Sequence, residues 1–273
     1  MGKLNKLDKF YTKPKVVIDL LKILDLKKYS KVIECSAGNG SFSLNMNHSN
    51  IIALDLEPEH KSIIKMNWFD FKDDLSNSIV VSNPPFGINN KLSKEFIKHA
   101  IKLNSRCIAF ILPDVYNKPT LQSIIPKEYK ITHIVKLPKN SFTVDGEDYD
   151  IPCSFFVFDK DGDIDLRFEP SKYKTDDFEI ITKKEADVNC FFILGASPNT
   201  TKEVYEINGN NRGYIIKPKN KTKNELINIF KNIKFNGYSS VSGKVAWFSK
   251  IEIIKNYIER NKDEWTYIKD DTL

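Results

Sequence analysis

The chain has 273 residues, 41% hydrophobic and 29% charged, with a formal net charge of +6. That balance is ordinary for a water-soluble globular chain of one large domain plus a smaller appendage, and no apolar run approaches the ~20 residues that span a bilayer. Cys35, Cys107, Cys153 and Cys190 stand far apart without a CxxC pair, and His48, His60, His99 and His133 lack ligand spacing. A reduced cytoplasmic setting is expected, with neither a disulfide framework nor a catalytic metal.

In chain order, Met1 to Lys9 is basic and polar, which is not the pattern of a secretory signal. Lys9-Phe10-Tyr11-Thr12-Lys13-Pro14 precedes apolar positions Val17, Leu20, Leu21 and Leu24 at helical spacing. The pattern predicts a helix capped by Thr12, with Pro14 in its first turn, ending at Tyr29-Ser30. Taken alone, Phe10 and Tyr11 read as a hydrophobic staple for that helix. Lys31 to Glu34 reads as a short buried strand, and Cys35 to Leu44 as a small-residue turn leading into a helix. Gly38 and Gly40 allow a ligand to approach the backbone closely. The loop lacks the three-glycine dinucleotide spacing, and no Gly-Lys-Ser/Thr follows. A pyrophosphate cradle is therefore disfavoured, whereas a nucleoside without phosphates is compatible.

A second strand, Ile51 to Leu54, ends in Asp55-Leu56-Glu57-Pro58. Asp55 lies 17 residues after Gly38, where an acid at a strand end holds ribose hydroxyls. Asn67-Trp68-Phe69-Asp70-Phe71 is a third strand end or turn, open to two readings. Asp70 could accept from an adenine amino group flanked by aromatic rings, or it could start a helix over a buried Trp or Phe.

A fourth apolar run, Ile79-Val80-Val81, leads into Ser82-Asn83-Pro84-Pro85-Phe86-Gly87. Neither proline can donate to a sheet ladder, so the strand stops and the turn is stiff. Such turns, at the carboxyl ends of strands, are where open α/β sheets bind ligands. This one is expected to present the Asn83 amide, the Pro84 carbonyl and an exposed Phe86 ring, two acceptors and a stacking platform for a flat heterocycle with an exocyclic amino group.

Helix and strand then continue to alternate. Lys91 to Leu103 is an amphipathic helix, Cys107 to Leu112 a buried strand and Leu121 to Ile125 a short helix. His133 to Leu137 and Cys153 to Phe158 are two further strands, with no helix between them, which fits an antiparallel edge hairpin. Their polar connection, Pro138 to Pro152, is long enough to be a mobile loop. Seven strands with interposed helices predict a doubly wound, mostly parallel sheet. Asp159 to Asp165 fails the calcium-loop spacing and reads as a polar turn.

Beyond residue 165 the rhythm changes to short strands over 165–181 and 191–216, with a turn at Asn208-Gly209, then helices over 225–233 and 250–260. This is a smaller α+β region, so the expected domains are 1–164 and 165–273. From Asp145 to Asp187 there are 14 acidic and 6 basic residues, and from Arg212 to Lys262 there are 12 basic and 3 acidic. With Tyr214, Tyr238, Trp247 and Phe248 interleaved, the second segment is a candidate polyanion surface.

Taken together, Glu34-Cys35-Ser36-Ala37-Gly38-Asn39-Gly40 and Asn83-Pro84-Pro85-Phe86 resemble the class I S-adenosylmethionine-dependent methyltransferases, specifically the adenine-N6 DNA enzymes of the gamma arrangement. The resemblance covers about the first 160 residues. It implies a Rossmann-like catalytic domain with S-adenosyl-L-methionine as cofactor, and a target-recognition region following it. It implies that Glu34 lies near the methionine end, that Asp55 serves the ribose, that Asp70 serves the adenine, and that Leu56 and Phe71 also bind the cofactor. Ser36, Ala37, Gly38, Gly40 and Asn83 would line the same site, and Phe10, Tyr11 and Thr12 would close over it. Asn83, Pro84, Pro85 and Phe86 would carry methyl transfer to a flipped adenine in DNA, with restriction-modification as a possible setting. Three alternatives share parts of this pattern: an RNA adenine-N6 enzyme, a protein glutamine N5-methyltransferase and a catalytically silent subunit of a methyltransferase pair. No membrane or metal partner is expected, and the sequence leaves monomer or dimer open.

Overall fold

In the computed structural model the described residues are 10–235 and 247–260. The basic Met1 to Lys9 stretch, Tyr238 and Lys244 lie outside them. The chain divides into two compact units, Met1–Phe168 and Glu169–Leu273.

In the first unit the elements are β1 (Tyr11–Thr12), α1 (Pro14–Leu21), β2 (Lys31–Glu34), β3 (Ile51–Asp55), β4 (Ile64–Lys65) and β5 (Ser78–Ser82). They are followed by α2 (Lys91–Lys102), β6 (Cys107–Pro113), α3 (Pro119–Gln122), β7 (Lys130–Lys136), β8 (Phe142–Val144), β9 (Glu147–Tyr149) and β10 (Cys153–Asp159). Seven strands form one sheet in the order β4-β3-β2-β5-β6-β10-β7. The first five run parallel, and β10 lies antiparallel between β6 and β7. β5 and β6 are buried at every position, as continuous apolar strands covered on both faces should be. The fold class is α/β with a mostly parallel sheet. The hairpin partners β7 and β10 do sit at one edge, with β7 outermost.

Strand order reverses between β2 and β5, both of which lie inside the sheet. Their carboxyl ends therefore meet at a topological switch point, the usual ligand position in such sheets. Beneath it, α2 packs Phe96, Ile97 and Ala100 against Trp68, Phe71, Ile108 and Phe110.

Local structure departs from expectation in five places. α1 stops at Leu21, because a 3-10 turn over Leu26–Lys28 brings Leu26 inward, where a continued helix would turn it away from the face of Leu24. Thr12 is buried in β1, and Lys13 occupies the helix N-cap without a side-chain bond. Residues 38–45 form turns and no helix. There the Glu34 carboxylate takes the amides of Phe42 (3.3 Å) and Ser43 (2.8 Å). The short helix expected over 121–125 begins earlier, at Pro119, and ends at Gln122. The connection over 138–152 is an ordered hairpin: β8 and β9 flank Asp145-Gly146, with φ of 51° and 84°. Two positive φ values in a two-residue loop define the tight turn that Asp-Gly favours. β8 also pairs with β1, Tyr11 opposite Thr143 and Thr12 opposite Phe142, making a separate three-stranded sheet.

The second unit contains β11 (Phe178–Ile181), β12 (Phe191–Leu194), β13 (Thr201–Glu203), β14 (Gly213–Pro218), α4 (Lys223–Asn232) and α5 (Lys250–Glu259). Its strands form an antiparallel sheet ordered β11-β14-β12-β13. Alternation along β12 and β14 sends Phe191, Ile193 and Ile216 to the helix side, where Leu226, Phe230, Ile253 and Tyr257 meet them. Phe192 and Ile215 face a smaller cluster with Cys190. Both helices open with a capping box, Thr222 with Glu225 and Ser249 with Glu252. No described helix is long and apolar enough to cross a membrane.

Candidate active site at the sheet switch point

Three strand ends meet here: the loop after β2, Asp55 at the end of β3, and Asn83 to Gly87 after β5. Asn83 is held at several atoms. Its Nδ2 donates to the Phe10 carbonyl at 3.0 Å, which fixes the orientation of the amide. Its backbone carbonyl accepts from Ser36 Oγ at 3.3 Å, and Ser36 Oγ lies 2.8 Å from Ser82 Oγ. The glycine loop and the proline turn are thus tied by one serine. Asn83 Oδ1 is buried and has no hydrogen-bond partner. A buried acceptor left unpaired costs about 1–3 kcal/mol, so this atom keeps its full capacity for a donor.

Pro84 is buried and Pro85 half-buried. Phe86 differs from expectation, being only 3% exposed. The ring of Phe10 stacks on it with centroids 6.3 Å apart and 19° between planes. Phe10 also meets Tyr149, at 5.3 Å. Tyr149 keeps 45% of its surface exposed. It is the most exposed member of the cluster, with Phe10 half-buried between it and Phe86. Gly87 has φ of 67°, and a Cβ there would come within 2.8 Å of the Leu92 Cβ. Glycine is required at that position by both conformation and space.

Around the glycine loop, Gly38 has φ of 53° and the ring of Tyr11 lies 3.4 Å from where its Cβ would be. The Tyr11 hydroxyl donates to Glu59, while the Glu59 amide donates to the Gly38 carbonyl at 3.0 Å. Asp55 accepts from Gly38 N at 2.7 Å and from Glu57 N at 2.8 Å. Each of its oxygens retains capacity for a second donor, so vicinal hydroxyls can be bound there. The loop itself is tightened by a bond from Gly40 N to the Ala37 carbonyl, 2.7 Å. Ala37 is buried and Leu56 is 53% exposed.

Glu34 is 1% exposed. Burial pushes its carboxyl up to about 7, against the opposing effect of the Ser43 and Phe42 hydrogen bonds. A carboxyl raised in the folded state binds a proton more tightly there than when unfolded. Its stabilising contribution is complete below the unfolded value and disappears as pH rises through about 7. The loss is on the order of 3 kcal/mol at 1.36 kcal/mol per unit. Urea unfolding of the first unit at pH 5 and pH 8 should therefore show a decline that Glu34→Gln flattens; equal slopes for the two proteins would refute the assignment.

The Asn67 to Phe71 stretch resolves to a 3-10 turn over Trp68–Asp70. Asn67, not Asp70, caps it by accepting from Phe69 N at 3.1 Å. Trp68 and Phe71 stack at 5.7 Å inside the core, so neither ring is available to flank a ligand. Asp70 is exposed at the turn's end. The structure thus joins Phe10, Tyr11, Ser36, Gly38, Asp55, Asn83 and Phe86 into one constellation, and leaves Phe71 in the core. The sequence assigns no site role to Ser82, Glu59 or Tyr149. Their only local signals are adjacency to the turn, proximity to Asp55 and the Asp-Gly hairpin.

In the second unit the acidic and basic runs lie side by side, because β11 pairs with β14. Lys219 bridges Glu179 (3.1 Å), Lys223 bridges Glu203 (2.6 Å) and Lys255 lies 3.8 Å from Glu259. Part of the positive run is therefore neutralised within the unit. Tyr214 donates to the Phe248 carbonyl at 3.0 Å, and Phe248 is buried. These two aromatics are structural. Among the described residues no three His, Cys, Asp or Glu side chains group as metal ligands.

No protein-family model matches the chain, and no curated protein matches it. Solved structures show distant likeness. One is a "modification subunit of a putative type I restriction enzyme" from Vibrio vulnificus YJ016, at 16% identity and TM-score 0.43, covering 56% of this chain and 45% of that one. A chain of a type I restriction-modification system aligns at 14% identity and TM-score 0.43, over 56% of this chain and 42% of that one. A "putative RNA methyltransferase" from Pyrococcus horikoshii aligns at 19% identity and TM-score 0.46, over 59% of this chain and 90% of that one. The chain thus spans less than half the length of the two restriction-modification proteins. At this distance the functional reading rests on the residues at the switch point.

Proposed function

We propose that the chain transfers a methyl group from S-adenosyl-L-methionine to the N6 amino group of adenine in DNA, with the base flipped to the Asn83-Pro84-Pro85-Phe86 turn. The observation that carries this reading is the buried, unpartnered Oδ1 of Asn83, its amide locked by the Phe10 carbonyl. That arrangement suits an incoming amino hydrogen and nothing inside the protein.

The cofactor's residues fit a phosphate-free nucleoside. Asp55 would hold ribose hydroxyls, and Gly38 beneath the Tyr11 ring leaves the backbone approachable. Glu34 would act near the methionine end through the loop amides it organises, and Asp70 would serve the adenine end. When bound, the sulfonium supplies a methyl group already activated toward displacement. The chain's residues then need only position the amine. Asn83 Oδ1 and the Pro84 carbonyl would accept its two hydrogens, drawing the nitrogen lone pair out of conjugation with the ring. Orientation of this kind accounts for much of an enzymatic rate. The methylated amine releases its proton readily to water, so no strong base is required. Phe86, Phe10 and Tyr149 would form the apolar wall against which a flipped base rests. Lysines and arginines of the second unit outside its internal ion pairs, including Arg212, Lys217 and Lys221, would meet phosphates and make binding salt-dependent.

Mixed-sequence duplex DNA incubated with methyl-tritiated cofactor tests the proposal, followed by mapping of modified adenines. Label should enter N6-methyladenine in a fixed sequence context and survive competition by structured RNA. Label that enters only the RNA would move the activity to that polymer, and label that enters neither would end the proposal.

A further inference from the structure

Immediately past the proline turn, the chain builds a rigid apolar point. Ile88 is 86% exposed, the most exposed of the large hydrophobic side chains among the described residues. An exposed isoleucine by itself is unremarkable on a protein surface. Here the backbone that carries it is both strained and clamped. Gly87, Asn89 and Asn90 take φ of 67°, 55° and 58°, a left-handed cluster in which only glycine and, less readily, asparagine sit comfortably. The loop is closed by Asn90 N to the Gly87 carbonyl (3.2 Å) and by Leu92 N and Ser93 N to the Phe86 carbonyl (3.2 and 3.3 Å). Ser93 Oγ reaches the Asn90 carbonyl at 3.2 Å and lies 2.8 Å from the Tyr116 hydroxyl, both within the buried base of the loop. Strained conformations persist where surrounding structure enforces them, and they concentrate at functional sites.

The charge around this point is equally specific. Lys91 and Lys94 stand in the first turn of α2, which has no acidic residue. The macrodipole favours acids at that end of a helix, so two cations there run against the helix's own preference. Neither forms an ion pair with the described residues. An apolar tip followed three and six residues on by cations, and rooted in the Phe86 carbonyl, suits a duplex presenting stacked bases between two lines of phosphates.

We infer that Ile88 is a wedge that enters the base stack of duplex DNA and holds open the place vacated by the flipped adenine, with Lys91 and Lys94 on the flanking phosphates. The inference rests on the proposed base methylation and specifies how the polymer is engaged. Apolar side chains used in this way unstack a base step. Extrusion is least costly for a base that is already unpaired. A wedge therefore matters most for a paired target.

The test uses the full chain and the mapped methylation site, prepared once as a perfect duplex and once with the target adenine opposite an abasic position. Transfer rates are measured for wild type, Ile88→Ala and Ile88→Leu. The wedge requires the ratio of paired to unpaired rates to fall about tenfold in Ile88→Ala and to recover in Ile88→Leu. Lys91→Ala combined with Lys94→Ala should flatten the salt dependence on both substrates. If Ile88→Ala slows both substrates by the same factor, or neither, the wedge is wrong while the methylation reading stands. If wild type methylates neither substrate, the methylation reading falls and the wedge falls with it.

Discussion

If the chain carries out the proposed methyl transfer, replacing Asn83 by alanine should lower its rate by about a thousandfold, the upper end of what removing one preorganised hydrogen-bonding group costs an enzyme. The expectation is large because the substitution removes two things together. It deletes the buried Oδ1 that has no partner within the protein, and it deletes the Nδ2 donor that ties the turn to the Phe10 carbonyl. A thousandfold corresponds to about 4 kcal/mol of transition-state stabilisation. The backbone carbonyl bonded to Ser36 is untouched, so the glycine loop should keep its shape and affinity for the proposed cofactor should change by less than about fivefold. Asn83→Asp separates the two contributions, since it keeps an acceptor while setting a carboxylate against the Phe10 carbonyl. Single-turnover kinetics with calorimetric cofactor binding would decide the matter. A rate within tenfold of wild type in Asn83→Ala, or a proportional collapse of cofactor binding, would contradict the assigned role.

The second large effect is on stability. Trp68 is 2% exposed. It stacks on Phe71 at 5.7 Å, meets His99 edge-on at 4.9 Å and donates Nε1 to the Phe96 carbonyl at 3.3 Å. Trp68→Ala should destabilise the first unit by about 3–5 kcal/mol, the usual range for truncating a buried tryptophan to alanine. Burial also lowers the affinity of neighbouring His99 for a proton, so a cavity that admits water should let that histidine titrate nearer its ordinary value. A urea midpoint followed by circular dichroism, with hydrogen exchange to separate the two units, measures the change. A shift below about 1 kcal/mol would mean that Trp68 is a surface residue, available to flank a ligand after all.

The distinction matters because the Asn67 to Phe71 stretch was locally ambiguous. Aromatic residues around an aspartate can line a pocket or anchor a turn, and both use the same residue types. α2, some 25 residues further on, decides between them by presenting Phe96 and His99 to Trp68. Phe86 shows the same limit from the other side. As a residue following two prolines at a strand end, it reads as an exposed platform. It is buried because Phe10, which is 76 positions earlier in the chain, lies across it. The Asp145-Gly146 turn is the opposite case. Its hairpin signal was present in the two residues themselves but was outweighed by the polar composition of the surrounding loop.

The positions of β2, β3, β5, β6, β7 and β10, the proline turn, the two-glycine loop and the strand-end acid follow from sequence, because each is a local matter of periodicity, ring constraint or backbone conformation. The order of the strands, with its reversal between β2 and β5, fits the alternation of helix and strand but is decided only by pairing. Tertiary structure alone decided that Ser36 bonds the Asn83 carbonyl across 47 positions and that Phe10 orients the Asn83 amide across 73. It likewise decided that Glu179 and Lys219 neutralise each other across β11 and β14. Such contacts depend on register between distant segments, and no pattern within one segment carries that information. The unpartnered Oδ1 of Asn83 belongs to this second class: the asparagine is legible in the sequence, and its isolation exists only in the folded chain.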